Sequence, residues 1–229
     1  MSNEEKIIKY FTKNYNKIGD DCAYLSQTKQ LISSDTLVEN IHFDLKYFTP
    51  KNIAHRLFTA NYSDIQSSGG KPKYVLLNLS FPNKNFKFIN QIIKNFHRYC
   101  LKYGIEIIGG DTTASDKIFL SLTIISDAIN KNKIIKRSQA KINDKIYTFS
   151  GIGYSKLGFM NIYKNLKLPK DISALSKKQF LSPKIYTYYD LFKKIKLNSC
   201  MDVSDSLLST LRSISSQSNK KIVLNNLLN

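Results

Sequence analysis

Ile105-Glu106-Ile107-Ile108-Gly109-Gly110-Asp111-Thr112-Thr113 is the stretch from which the fold is read. Its apolar run over 105–108, interrupted by Glu106, reads as a buried strand bounded by glycine. Two glycines then let the backbone turn sharply and approach a ligand closely, because neither carries a Cβ. An aspartate and two hydroxyls close the stretch. That composition suits a phosphate and metal site, with free amides facing the anion and Asp111 offering a hard oxygen to a divalent cation. Standing alone, Gly-Gly-Asp is also a common turn.

Four other short stretches place aspartate beside glycine, serine or threonine: Gly19-Asp20-Asp21, Ser33-Ser34-Asp35-Thr36, Asn61-Tyr62-Ser63-Asp64 and Asp202-Val203-Ser204-Asp205. With Asp111 they hold seven of the chain's 17 acidic residues, in a protein of formal net charge +18. Carboxylates this scarce, placed in small polar turns next to apolar runs, point to metal and phosphate chemistry rather than solubility. Two adjacent carboxylates, as in Asp20-Asp21, repel each other, so a nearby cation is a natural reason to keep them together.

Working outward from the central stretch, the pattern predicts an α/β arrangement. An amphipathic helix is expected over 4–11, a strand over 30–33 ending in the Ser34-Asp35-Thr36 turn, and an edge strand or extended segment over 38–43. Thr49-Pro50 reads as an N-cap followed by proline at the first helical position, opening a helix towards Ile65 that stops at Ser67-Ser68-Gly69-Gly70. Asp64 near the end of that helix is disfavoured by the helix dipole, which argues for a positive partner. A strand over 74–81, a helix over 86–103 closed by Gly104, and a strand over 118–128 follow, with 133–137 a basic segment. The chain then begins again with a strand over 145–150, a Gly151-Ile152-Gly153 turn and a helix from Ser155, an arrangement that can hold an anion. Helices are expected over 183–195 and 206–216, and a strand over 222–224. Asp202 and Asp205 at a helix start are favoured there by the dipole and can point to one place.

The length of 229 residues allows one large domain or one domain plus part of another, and the apolar share of 42% is ordinary for a globular chain. Cys22, Cys100 and Cys200 are odd in number and in no metal-ligand spacing, which predicts reduced thiols in a cytoplasmic protein. The acidic Glu4-Glu5 start is unlike a signal peptide, and no apolar stretch approaches membrane-spanning length, so no membrane association is expected. Lysines are spread almost evenly, while arginine occurs only at 56, 98, 137 and 212. Nucleic-acid modules concentrate charge on one element with arginine and aromatics interleaved, so no nucleic-acid partner is expected either.

Read as a set, Gly19-Asp20-Asp21-Cys22-Ala23, Ser34-Asp35-Thr36-Leu37-Val38 with His42-Phe43, Asn61 through Ser63-Asp64-Ile65, Gly109-Gly110-Asp111-Thr112-Thr113, Arg137-Ser138 and Asp202-Val203-Ser204-Asp205 resemble the thiamine-monophosphate kinase family of the aminoimidazole-ribonucleotide-synthetase-like superfamily. Asp-Thr-Leu-Val with a histidine seven residues after its aspartate points to that family within the superfamily. The resemblance implies an α/β (α+β type) fold. An N-terminal mixed-sheet domain over 1–138 would bind metal and ATP and pair with its twin in a homodimer, and a truncated C-terminal α/β domain would cover 139–229.

The activity implied is ATP-dependent phosphorylation of thiamine monophosphate to thiamine diphosphate, assisted by several Mg²⁺ ions. By matching positions, Asp21, Ser33, Ser34, Asp35, Asp64, Asp111, Asp202 and Asp205 would hold metal, Gly110, Asp111, Arg137 and Ser204 would touch ATP, and His42 would seat the thiamine substrate. The sequence departs from the family at Ser206, where glycine is preferred, and at Ala114-Ser115-Asp116, which replaces an Arg-Gly-Pro turn. Its second domain is also expected to stop early. A non-catalytic nucleotide-binding member, a relative acting on another substrate, and a basic RNA-binding protein remain as alternatives.

Overall fold

Phe119–Ala128 (β6) alternates between covered and open positions, with Leu120, Leu122, Ile124 and Ser126 buried on one side. This strand is the axis of a mixed sheet because both its edges are paired. In the computed structural model, which describes residues 3–15, 18–130, 134–149 and 151–224, β6 runs antiparallel to Gln30–Val38 (β2) and to Gly70–Phe81 (β3). Ala23–Leu25 (β1) extends the sheet beyond β2. Glu106–Gly109 (β4) and Thr112–Ala114 (β5) both pair in parallel with β3, as two pieces of one interrupted edge.

Pro50–Ser67 (α2) and Phe86–Tyr103 (α3) cover one face of the sheet. Ile53, Leu57, Phe58 and Ile65 of α2 and Ile89, Ile92 and Phe96 of α3 meet Leu31, Val75, Leu120 and Leu122 in the core. The start of α2 follows from sequence: Thr49 accepts from the Asn52 amide while the Asn52 side chain accepts from the Thr49 amide, a capping box followed by proline. The end of α3 is equally legible, since Gly104 caps it at φ 64°. On the opposite sheet face, hydroxyls pair across strands, Ser34 with Thr123 and Thr36 with Ser121, each at 3.0 Å.

Several expectations are corrected. The 105–108 run was expected to be a buried strand, but β4 is open along its length, with Ile107 38% and Ile108 47% exposed, because β3 is its sole neighbour in the sheet. The strand at 30–33 does not turn at Ser34-Asp35-Thr36. It continues to Val38 because β6 pairs with it throughout, Asp35 opposite Leu122. The two glycines do serve a close approach, and its partner is β3: a Cβ on Gly110, at φ 147°, would lie 1.8 Å from the Leu77 carbonyl oxygen.

Asn3–Thr12 (α1) opens the first half, and the second half holds, among the described residues, the helices Tyr154–Tyr163 (α4), Lys170–Leu181 (α5), Tyr189–Lys194 (α6) and Leu207–Ser218 (α7). The α5 helix has no counterpart among the expectations. It packs on α4 at Gly158, where a Cβ would lie 2.2 Å from the Ser176 carbonyl oxygen. The expected helix over 183–195 shrinks to α6, because residues 182–188 are held extended against α2 by side chains. Asn52 donates to Ser182 Oγ at 2.8 Å, His55 Nε2 contacts the Pro183 carbonyl at 2.5 Å, and the Tyr188 amide donates to Gln66 at 2.8 Å. Residues 145–149 and 222–224 form no strand, having no ladder partner there. Ser150 of the expected strand and Lys133 of the basic segment lie outside the described residues.

Candidate metal and phosphate site

Three carboxylates from distant parts of the chain converge. Asp21 comes from the turn before β1, Asp64 from the last full turn of α2, and Asp202 from the segment before α7; one oxygen from each lies within 4.8 Å of the others. Each is held by a hydroxyl. Ser33 of β2 donates to Asp64 Oδ2 at 2.5 Å, Ser63 donates to Asp202 Oδ2 at 3.0 Å, and Ser67 donates to Asp21 Oδ2. Ser63, Asp64 and Ser67 share α2, so one helix carries one carboxylate and orients the other two. Helical spacing explains this, since residues three and four apart lie on one face.

Arg137 supplies the positive charge. Its guanidinium donates through Nε at 2.9 Å and through Nη2 to Asp21 Oδ1, while its backbone amide donates to Asp20 Oδ1 at 2.9 Å. The Arg137 carbonyl accepts from Ser199 and Ser218, both at 2.9 Å, which fixes the residue from the second half of the chain. The Asp21 side chain is 2% exposed and that of Arg137 21%, so the carboxylate is covered while the guanidinium keeps a partly open side.

One guanidinium does not neutralise three carboxylates. Burial, then the charges of Asp202, Asp35 and Asp21, push the Asp64 carboxyl up to about 8 against the Ser33 hydrogen bond. Burial and Asp21 push Asp202 up to about 6, opposed by Ser63 and Arg137. Asp35 is raised by burial and drawn back by His42. The site is thus short of positive charge. Burial also pushes the Cys200 thiol up to about 12 and raises Cys22 further, so both thiols beside the carboxylates stay protonated and oxygen is the available donor.

Not every expected residue joins this group. Asp35 lies within electrostatic reach, its amide donating to Asn61 Oδ1 at 3.2 Å. Asp111 is exposed at the break between β4 and β5, where its side chain accepts from the Thr112 amide at 2.8 Å, and Gly110 precedes it. Asp205 and Ser204 are exposed in the turn before α7, and Ser34 faces the other side of the sheet, on Thr123. His42 is exposed after β2, its Nδ1 accepting from the Val38 amide at 3.0 Å. Sequence reasoning assigned no role to Ser63 or Ser67; Asp20, expected beside a cation as the neighbour of Asp21, accepts from the Arg137 amide. Ser67 lies three residues after Asp64 and four after Ser63, a helical spacing that was an available signal.

The sheet order and the carboxylate cluster beside it define a class. Residues 19–127 match the family model for AIR synthase related protein, N-terminal domain. The chain belongs to the thiamine-monophosphate kinase family. It is 34% identical over 222 residues to the thiamine-monophosphate kinase of Buchnera aphidicola subsp. Schizaphis graminum, covering 91% of this chain and 68% of that protein. Against the thiamine-monophosphate kinase of Leptospira interrogans it is 33% identical over 204 residues, covering 87% and 65% respectively. A solved structure of AaThiL complexed with AMPPCP and TMP superposes with a TM-score of 0.81 at 25% identity, covering 96% of this chain and 72% of that one. The chain therefore spans about two thirds of the length of these curated relatives.

Proposed function

We propose that this chain catalyses the ATP-dependent phosphorylation of thiamine monophosphate to thiamine diphosphate by direct in-line transfer. The observation that carries the reading is the convergence of Asp21, Asp64 and Asp202 with too little positive charge to balance them. Their donor set fits a hard divalent cation such as Mg²⁺: oxygen ligands, close enough together to share one ion, with thiols held protonated. Bound there, Mg²⁺ would screen the charge between two polyanions and hold the transferring phosphoryl group. Ser33, Ser34, Asp35, Asp111 and Asp205 are the further oxygen donors of this proposal, and Gly110, Asp111 and Ser204 its ATP contacts.

The chain's own residues have definable tasks. Arg137 offers a planar fork to phosphate oxygens once Asp21 has another cation to face. His42, with Nδ1 occupied by the Val38 amide, carries its proton on Nε2 and presents it as a donor to the thiamine substrate. The acceptor is itself a phosphate oxygen, already anionic at neutral pH, so no general base is required. In this reading residues 1–138 supply most of the metal and ATP site and the homodimer contact, which the open β4 edge supports, while 139–229 contribute Asp202 and the Arg137 supports. A cytoplasmic location belongs to the same proposal. Among the described residues no helix is long and apolar enough to cross a membrane.

Thermal unfolding with and without Mg²⁺ and ATP, then with thiamine monophosphate, while thiamine diphosphate is measured in the same samples, tests the reading. A Mg²⁺-dependent rise in Tm accompanied by product supports it. A rise without product leaves nucleotide binding and refutes the assigned reaction, and no rise refutes the site.

A further inference from the structure

Arg56 of α2 carries a charge that no carboxylate meets among the described residues. Its guanidinium lies 4.8 Å from the centre of the Phe48 ring and 4.9 Å from that of Phe180. Nη2 donates to the Phe180 carbonyl at 3.0 Å, and Nη1 donates to the His42 carbonyl. A largely covered cation satisfied by two ring faces and two carbonyls is an expensive way to fill space, since an apolar side chain of similar volume would fill it without desolvating a charge. What an apolar residue would not do is join the segment after β2 to the C-terminal end of α5. Arginine does so with a planar group whose donors diverge at fixed angles.

The segment it holds is the one that aims His42. The His42 ring is directed by the Val38 amide at Nδ1, and its carbonyl is taken by Arg56, so the backbone on which the ring stands is fixed from inside the protein while Nε2 faces out. We propose that Arg56 is a positioning residue for the acceptor substrate: it clamps the His42 carbonyl to the end of α5 and so sets the direction of the His42 Nε2–H. The substrate part of this rests on the reading above, in which His42 seats thiamine monophosphate. The clamp also makes acceptor binding sensitive to α5, an element of the second half of the chain that does not contribute to the carboxylate cluster.

Arg56→Lys keeps the charge and loses the plane and the second donor direction. The expected result is a KM for thiamine monophosphate raised about tenfold, the loss of one charged hydrogen bond, with kcat and the KM for ATP changed by less than about twofold. In a His42→Ala background, Arg56→Lys should raise that KM no further, because the arginine acts only through the histidine. In ¹⁵N spectra of the imidazole rings, His42 should pass from a single Nε2–H tautomer to a mixture. Equal rises in both KM values, a fall in kcat alone, or unchanged His42 nitrogen shifts would make Arg56 a packing residue and overturn the proposal. If the unmodified protein forms no thiamine diphosphate, the assigned reaction fails, and the nitrogen shifts still decide the clamp. Should Arg56→Lys not fold, Phe180→Leu removes one ring, leaves the guanidinium in place, and should change the same readouts in the same direction by less.

Discussion

Replacing Asp64 by asparagine should stabilise the metal-free protein at alkaline pH and abolish its response to Mg²⁺. The Asp64 carboxyl is moved from 3.8 to about 8 in the folded state, by burial first and then by Asp202, Asp35 and Asp21. Between those two values the folded protein keeps the proton and the unfolded chain has lost it. Stability therefore falls as pH rises through this window and levels off above about pH 8. The ceiling for this loss is roughly 6 kcal/mol at about 1.4 kcal/mol per decade. Since Asp64 and Asp202 share one repulsion that relaxes when either is neutral, about half is expected on substitution, ~3 kcal/mol.

Asparagine keeps the shape and an oxygen to accept the Ser33 hydroxyl, so no hydrogen bond need be lost. Urea unfolding in EDTA across the range from about pH 5 to 9 should show the variant's advantage over the parent growing with pH, to about 3 kcal/mol at the alkaline end. Millimolar Mg²⁺ should then stabilise the parent and leave Asp64→Asn unmoved. A variant that is no more stable than the parent in EDTA at alkaline pH would show that the three carboxylates do not repel as their convergence requires.

Two further substitutions test the frame around this site. Arg137→Met leaves the covered Asp21 without its guanidinium and should cost about 3 kcal/mol in urea unfolding, part of it recovered by Mg²⁺; a loss below about 1 kcal/mol would contradict the pairing of a covered carboxylate. Gly110→Ala would place a Cβ 1.8 Å from the Leu77 oxygen and can be accommodated only by parting the β4–β5 edge from β3. It should cost at least ~3 kcal/mol in chemical denaturation, whereas Gly104→Ala, whose Cβ meets nothing within 4 Å, should cost about 1 kcal/mol.

Much of the fold was legible because local chemistry decided it. Thr49-Pro50, the helical spacing of Phe88, Ile89, Ile92 and Phe96, and Gly104 define α2 and α3 without knowledge of their neighbours. What escaped depended on partners far along the chain. Ile105-Glu106-Ile107-Ile108 reads as a buried strand, and whether such a strand is central or at an edge follows from sheet order, which periodicity does not encode. Ser182-Pro183 is an acceptable helix start, overruled by Asn52, His55 and Gln66 lying opposite it. The aspartate turns were recognisable as a set, and the structure brings Asp21, Asp64 and Asp202 to one place while leaving Asp111 and Asp205 outside it. Spacing alone does not separate those two groups. Asp35 fell between them, because its stretch looked like a turn and is a strand paired along β6.

Among the residues of α2, Lys51 alone is exposed; the rest are buried or half-buried against the sheet, α3, the segment after β2, α5, the 182–189 segment or the carboxylates. On α3, by contrast, Lys87, Lys94, Arg98 and Lys102 all stand in solvent. A helix with a free side can exchange one polar residue for another over generations at little cost, and a helix enclosed all round cannot. The lysines of α3 thus stand where substitution is cheap, while α2, which holds the site together, carries one lysine, at its exposed start. The net charge of +18 therefore describes outer surfaces of this kind, and the covered carboxylates of the site stay short of positive charge in spite of it.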